Sequence, residues 1–166
     1  MKKTVFALTA LLLLLALFAS CGAEKAQSEN VSMYDLREAM LSSSDRFENM
    51  QAASSADSGA AVLFGNISDM EYEKISGFFV AYAAEGKGNA DEIAVIEVAD
   101  AGDLREAKES LEKHLATRVS LYTTYDKSQL PKLEKARIVT EGRLAVLIVA
   151  DEGEKVERAF RDFLKK

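Results

Sequence analysis

The sequence predicts an α+β domain: a mainly antiparallel four-stranded sheet in ββαββα order, helices packed on one face, and an N-terminal helical segment ahead of it. Three observations carry that prediction. Two β-prone runs, Gly77 to Ala84 (GFFVAYAA) and Glu92 to Ala99 (EIAVIEVA), follow one another across a turn-rich cluster. A long helix-periodic stretch comes next, and a second pair of apolar runs, Arg137 to Thr140 and Arg143 to Ala150, follows that. The chain then closes on a short amphipathic pattern.

Lys2 and Lys3 form a basic start, and Val5 to Ala19 is a nearly unbroken apolar run. That length suits the hydrophobic region of an export signal and falls short of the roughly 20 residues that span a bilayer. Ala19 and Ser20 lead directly into Cys21, the sole cysteine. Phe18-Ala19-Ser20-Cys21 resembles a bacterial lipobox, with Phe18 where Leu, Val or Ile is usual. A thiolate is the nucleophile that alkyl transfer needs, and small neighbours admit the peptidase. The expectation is a signal peptide over 1–20 and lipidation at Cys21, which places the protein on the outer face of the cell membrane.

Residues 22–32 (GAEKAQSENVS) are polar and aperiodic, and read as a flexible tether. From Met33 the positions Leu36, Met40, Phe47 and Met50 fall at helical spacing behind Ser32, a good N-cap. Gln51 to Gly59 (QAASSADSG) reads as a loop that sets a segment over 33–59 apart from a domain over 60–166. Ala60 to Ile67 fits either a short helix or a strand, and Ser68 with Glu71 predicts a brief capped helix through Ile75.

In the strand from Glu92, Ala94, Ile96 and Val98 share one face while Ile93, Val95 and Glu97 share the other. Asp103 is placed to cap the long helix, whose apolar stripe is Leu104, Ala107, Leu111, Leu115, Val119 and Tyr122. Glu109 and Lys113 are spaced for a surface pair. Pro131 beside Ser128 predicts a short capped turn. Glu141-Gly142 is read as the hairpin connection, as a type I turn with Gly142 in a bulge. Leu144 to Val149 (LAVLIV) has no polar face and belongs inside the sheet. Val156, Ala159, Phe160 and Phe163 mark a last helix from about Glu154.

Asn89-Ala90-Asp91-Glu92-Ile93-Ala94-Val95, the long helix ending near Tyr125, and Ile138-Val139 with Gly142 before Leu147-Ile148-Val149 occur in an order that resembles a known family. It is an uncharacterised family of small lipoproteins from Gram-positive anaerobes, a catalogued domain of unknown function. The resemblance spans roughly residues 60 to 164, together with the leader type. Leu63-Phe64-Gly65-Asn66-Ile67 looks like the family's aromatic-glycine turn, with Phe64 where Tyr is more usual. The resemblance implies a shape and a location and no catalytic or binding residue.

Charge narrows the function classes. The formal net charge is −6, and Lys2 and Lys3 are the sole charges within residues 1–20, so the remainder carries −8. A body this acidic repels nucleic acid and an anionic lipid surface. His114 is the lone histidine, one position off the apolar stripe, and reads as a surface residue. No second histidine completes a zinc site, no G-x-S-x-G offers a nucleophile elbow, and no motif points to a cofactor. Glu85-Gly86-Lys87-Gly88-Asn89 lacks the G-K-[ST] of a phosphate loop and reads as a hairpin connection. Asp151, Glu152 and Glu154 miss the calcium-loop spacing and suit a helix start.

The aromatic positions offer a candidate partner surface: Phe78, Phe79 and Tyr82 on the first strand, and Tyr122 and Tyr125 at the helix end. If helices cover one face alone, Phe78 or Phe79 must stand on the open one; the other reading is that the N-terminal helix covers these side chains. The expected function is a non-enzymatic, membrane-tethered module binding an envelope protein, a peptide or a small ligand. The alternative is an envelope-associated enzyme with a carboxylate-based site.

Overall fold

Two strands, β3 (Glu92–Val98) and β5 (Leu144–Val149), are buried at every residue. Strands of that kind must be covered on both faces and flanked on both edges. The computed structural model, which describes residues 31–84 and 89–166, meets this demand with three further strands. These are β1 (Gln51–Ser54), β2 (Ile75–Tyr82) and β4 (Arg137–Glu141). The sheet order is β1-β2-β3-β5-β4, and every neighbouring pair is antiparallel. The helices are α1 (Met33–Leu41), α2 (Ala60–Phe64), α3 (Leu104–Tyr125), α4 (Leu130–Glu134) and α5 (Gly153–Phe163).

The α+β class and the ββαββα core agree with the sequence, while the layering and the strand count differ from it. Helices cover both faces of the sheet, not one. On the first face Phe78, Val80, Ala94, Ile96 and Leu147 pack against Ala107 and Leu111 of α3, Phe64 of α2 and Leu133 of α4. On the second, Phe79, Ile93, Val95, Val146 and Ile148 meet Leu36 and Met40 of α1 and Val156 and Phe160 of α5. Each large apolar side chain buried this way contributes roughly 1.5–3 kcal/mol. The second layer exists because the strands are apolar on both sides, and α1 and α5 are the amphipathic helices available to cover the side that α3 leaves.

The fifth strand is β1, within a stretch whose Ala and Ser content reads as a loop. It forms because β2 would otherwise offer an unpaired edge: Gln51 lies opposite Tyr82, and Ser54 opposite Phe79. Residues 33–59 therefore share the sheet and core of the residues after them. Close approach is needed as well. A Cβ on Gly77 would sit 3.0 Å from Met33 Cγ, so glycine lets α1 lie against β2, just after a register shift between Ile75 and Gly77.

Helix boundaries follow local chemistry. Ser32 caps α1 by accepting from Asp35 N at 3.2 Å. The helix stops at Leu41 rather than continuing to Met50, because the next serines compete for its last carbonyls. Ser42 Oγ donates to Ala39 O and Ser43 Oγ to Met40 O. The predicted helix after Ser68 is instead a 3-10 turn over Tyr72–Lys74. Ser68 Oγ accepts from Met70 N at 3.1 Å and also pairs with Ser110 Oγ, 2.7 Å off on α3. Lys113 pairs with Asp69, and Glu109 with Arg105, in place of the predicted Glu109–Lys113 pair. Asp126, not Ser128, caps the turn ahead of α4, accepting from Ser128 N at 3.0 Å. In the β4–β5 hairpin the central residues are Gly142 and Arg143, one position later than predicted. Gly142 takes φ 57, and glycine bears that angle without strain.

A row of charges locks α5 to β4. Arg137 Nε donates to Glu157 Oε2 at 2.5 Å, Arg161 Nε to Glu157 Oε1 at 3.0 Å, and Arg161 Nη1 to Glu141 Oε2 at 2.8 Å. Burial works to raise the Glu157 carboxyl, but the two arginines outweigh it and hold the group below the ordinary 4.5.

Leu147 tests this arrangement, because it is fully buried in β5 between β3 and β4. Leu147→Asp places an unpaired carboxylate there and is expected to cost several kcal/mol, comparable with the whole stability of a small domain. Chemical denaturation followed by circular dichroism reads the loss. An unchanged midpoint contradicts the buried position.

Candidate functional site

The described residues bring most of their buried charge to one end of the sheet, where β3 begins. Asp91 and Glu92 are adjacent there and almost fully buried, and alternation sends their side chains apart. Glu92 faces α3, where it meets two residues spaced one helical turn apart. His114 Nε2 lies 2.7 Å from Glu92 Oε1, and Arg118 Nη1 donates to Glu92 Oε2 at 2.6 Å. A carboxylate only accepts, so Nε2 carries the ring proton. Arg118 Nη2 also donates to Ala90 O at 3.0 Å, and its guanidinium lies 5.6 Å from the Tyr122 ring centre. Its Nε is buried without a hydrogen-bond partner among the described residues.

Asp91 turns toward α4. Lys132 Nζ lies 2.6 Å from Asp91 Oδ1, close enough for an ion pair though not aligned as a hydrogen bond. Lys132 also donates to Asn89 Oδ1 at 2.7 Å, and Asn89 Nδ2 donates to Asp91 Oδ2 at 2.8 Å. Arg46, from the 3-10 turn Asp45–Phe47, spans Asp91 at 3.5 Å and Asp151 at 2.7 Å. Gln129 Oε1 accepts from Ala90 N, and Tyr122 Oη donates to Asn89 O. α3, α4 and the turn after α1 are thereby tied to residues 89–92.

This arrangement is a lock. Each buried carboxylate is neutralised by at least one cation within 2.6 Å. Removing one partner of such a pair is costly, because it leaves an uncompensated buried charge. Glu92 and His114 form a carboxylate–imidazole pair, but among the described residues no hydroxyl or thiol is hydrogen-bonded to that ring. Among the described residues there is also no group of three or more His, Cys, Asp or Glu placed to hold a metal ion.

The predicted residues fare unevenly. Phe78 and Phe79 are fully buried, one under each helical layer, so neither is available to a partner. Phe78 sits in an aromatic cluster with Phe64, 5.3 Å between ring centres, and Tyr72. Tyr82 and Tyr122 are half-buried against the same core. Tyr125 is 80 % exposed, and Leu121, one turn earlier, is 59 % exposed. His114 is not a surface residue: its side chain is 14 % exposed, because Glu92 draws it inward. Cys21 and Glu85-Gly86-Lys87-Gly88 lie outside the described residues.

Asp151, Glu152 and Glu154 are spread among separate cations. Glu152 is held below the ordinary 4.5 by hydrogen bonds from Lys155 and Ser44. The cluster members Arg118, Lys132 and Asn89 escaped sequence reasoning as site residues. One signal was present: Asp91-Glu92 stands at the head of a strand with no solvent face, so both carboxylates needed cations from elsewhere.

Two shallow cavities open beside α1. One of about 620 Å³ is lined by Arg37, Glu38, Asp45, Phe47 and Glu48 among others, and one of about 470 Å³ by Ser42, Arg46, Glu152 and Lys155 among others. Glu38 is paired with Arg37, while Asp45 and Glu48 face solvent.

The profile of a domain of unknown function, DUF4358, matches residues 64–150, and the chain belongs to that family. The match covers β2 to β5, α3, α4 and every cluster residue except Arg46 and Asp151. No curated protein matches the chain, and no solved structure matches it.

Lys132→Met tests the lock. It keeps the stem of the side chain and strips Asp91 of its nearest cation, at an expected cost of about 3–5 kcal/mol. Adding Asp91→Asn should recover most of that loss, as measured by urea unfolding. Equal stabilities of wild type and Lys132→Met contradict the pairing.

Proposed function

We propose that the chain is a membrane-tethered lipoprotein whose domain acts outside the membrane as a non-enzymatic binding module. The observation that carries the tether is the apolar run that ends on Ala19-Ser20-Cys21, with the sole cysteine at the expected position. No helix among the described residues is long and apolar enough to cross a membrane, so a lipid on Cys21 would supply the attachment. Two acyl chains hold a protein stably where one is marginal.

Binding is favoured over catalysis by the state of the carboxylates. Asp91, Glu92 and Glu97 are each engaged by a cation, and Asp45 and Glu48 stand in water. None has the water-excluded, unpaired setting that carboxylate acid catalysis draws on. The far end of α3 offers a different chemistry. Leu121 and Tyr125 project from one side of the helix, beside the half-buried Tyr122. Tyrosine is enriched among the residues that anchor protein contacts. The net charge disfavours nucleic acid as the partner.

Metabolic labelling with a fatty-acid analogue should mark the wild type and leave Cys21→Ser unmarked; equal labelling of the two rejects the tether. The binding surface is read separately, with a photo-crosslinking side chain introduced at Tyr125 or at Arg105 of the same helix. Discrete adducts are expected from Tyr125 and none from Arg105, and the reverse pattern rejects this surface.

A further inference from the structure

Both edge strands of the sheet end in open hydrogen-bonding groups, and the chain caps one of them. On β1, Ser55 N donates to Phe78 O. Alternation then assigns Gln51 and Ala53 to bonding with β2 and turns Ala52 and Ser54 outward. Ser54 N donates to Asp57 Oδ2 at 2.6 Å, and its hydroxyl donates to the same oxygen at 3.1 Å. A carboxylate at an edge blocks further pairing, a common protection of exposed strands.

On β4 the pattern is the opposite. Val98 N donates to Arg143 O, so Ala145, Leu147 and Val149 bond to β3. Leu144, Val146 and Ile148 then bond to Glu141, Val139 and Arg137. Ile138 and Thr140 are left with their N–H and C=O groups directed away from the sheet. Among the described residues no carboxylate caps them as Asp57 caps Ser54.

We propose that a second copy of this chain pairs with β4, antiparallel, about a two-fold axis through Val139. In that register Ile138 faces Thr140 of the second copy, and each such pair exchanges both of its backbone hydrogen bonds. Val139 meets Val139, and Arg137 stands opposite Glu141 of the second copy. The side chains are complementary by the same symmetry. The row Arg137, Glu157, Arg161, Glu141 alternates in sign along the edge, and the two-fold reverses its direction in the second copy. Opposite charges directly across two strands are favourable, and like charges are not. Sliding the register toward the hairpin turn while keeping the same hydrogen-bonding parity sets Arg137 against Arg143 of the second copy. Sliding it the other way sets Arg137 against Val139. The centred register alone satisfies both backbone and charge. Two five-residue strands make a small contact, so the dimer is reversible and grows with concentration.

Full-length chain carrying Cys21→Ser, in which an introduced thiol is the sole one, tests the register. Val139→Cys places two thiols across a non-hydrogen-bonded pair, where Cα atoms lie about 4.5 Å apart, within disulfide reach. Thr140→Cys places them two residues out of step, about 7 Å further along the strands. Mild oxidation should trap roughly fivefold more dimer with Val139→Cys than with Thr140→Cys. Equal trapping, or none with Val139→Cys, overturns the proposal. Thr140→Pro removes an outward N–H and none that β5 uses, so unfolding should stay near wild type. Its sedimentation coefficient should lose the rise with concentration seen in the unsubstituted chain. Association that survives in a folded Thr140→Pro variant overturns the two-fold pairing. So does an unsubstituted chain that stays monomeric at every concentration, which would leave the edge to an extended segment of another protein.

Discussion

The rest of the structure depends on a pair of strands that are apolar on both faces. β3 and β5 carry no solvent side, and hydrophobic burial is roughly proportional to apolar area removed from water. One helical layer would leave half of that area wet. α3 supplies the first layer and is long enough to cross the sheet; α1 and α5 together supply the second. The N-terminal helix is thereby drawn into the core, and β1 follows it onto the free edge of β2. Ser42 and Ser43 turn the chain between them by taking the last carbonyls of α1 out of helical use.

An apolar sheet of this kind specifies depth better than it specifies the ends of its strands. The charges at the start of β3 supply that second kind of information. Asp91 and Glu92 reach in opposite directions and are met by cations from α3, α4 and the turn after α1. A slip of one residue would swap their faces and leave both carboxylates without partners. The cost of an unpaired buried charge thus works against wrong registers, whatever the pairs add to net stability. The resemblance seen in the sequence includes these residues together with the core strands, which fits a role in building the fold.

With its buried charge engaged in this lock, the domain has two distinct surfaces at its periphery. The open edge of β4 and the exposed end of α3 belong to different elements and offer different chemistry: backbone hydrogen bonds with alternating charge at one, an aromatic and an aliphatic side chain at the other.

Much of the fold was legible in the sequence, since periodicity and turn residues are local properties. The strands β2 to β5, the long helix from Leu104 to Tyr125 and the closing helix fall within a few residues of their predicted positions. Leu144 to Val149 announced a buried strand by having no polar side. What tertiary structure decided was pairing. Gln51 to Ser54 has no strand signal of its own and became a strand because β2 needed a neighbour. Phe78 and Phe79 left the list of candidate contact residues once a second helical layer closed over the sheet. His114 reads as a surface residue because it sits one position off the apolar stripe of its helix; only the crossing of α3 over Glu92 draws it inward. Sequence states which side chains want burial or a partner, because that depends on the residue alone. Which partner they find depends on distances between segments far apart in the chain, and those exist only after folding.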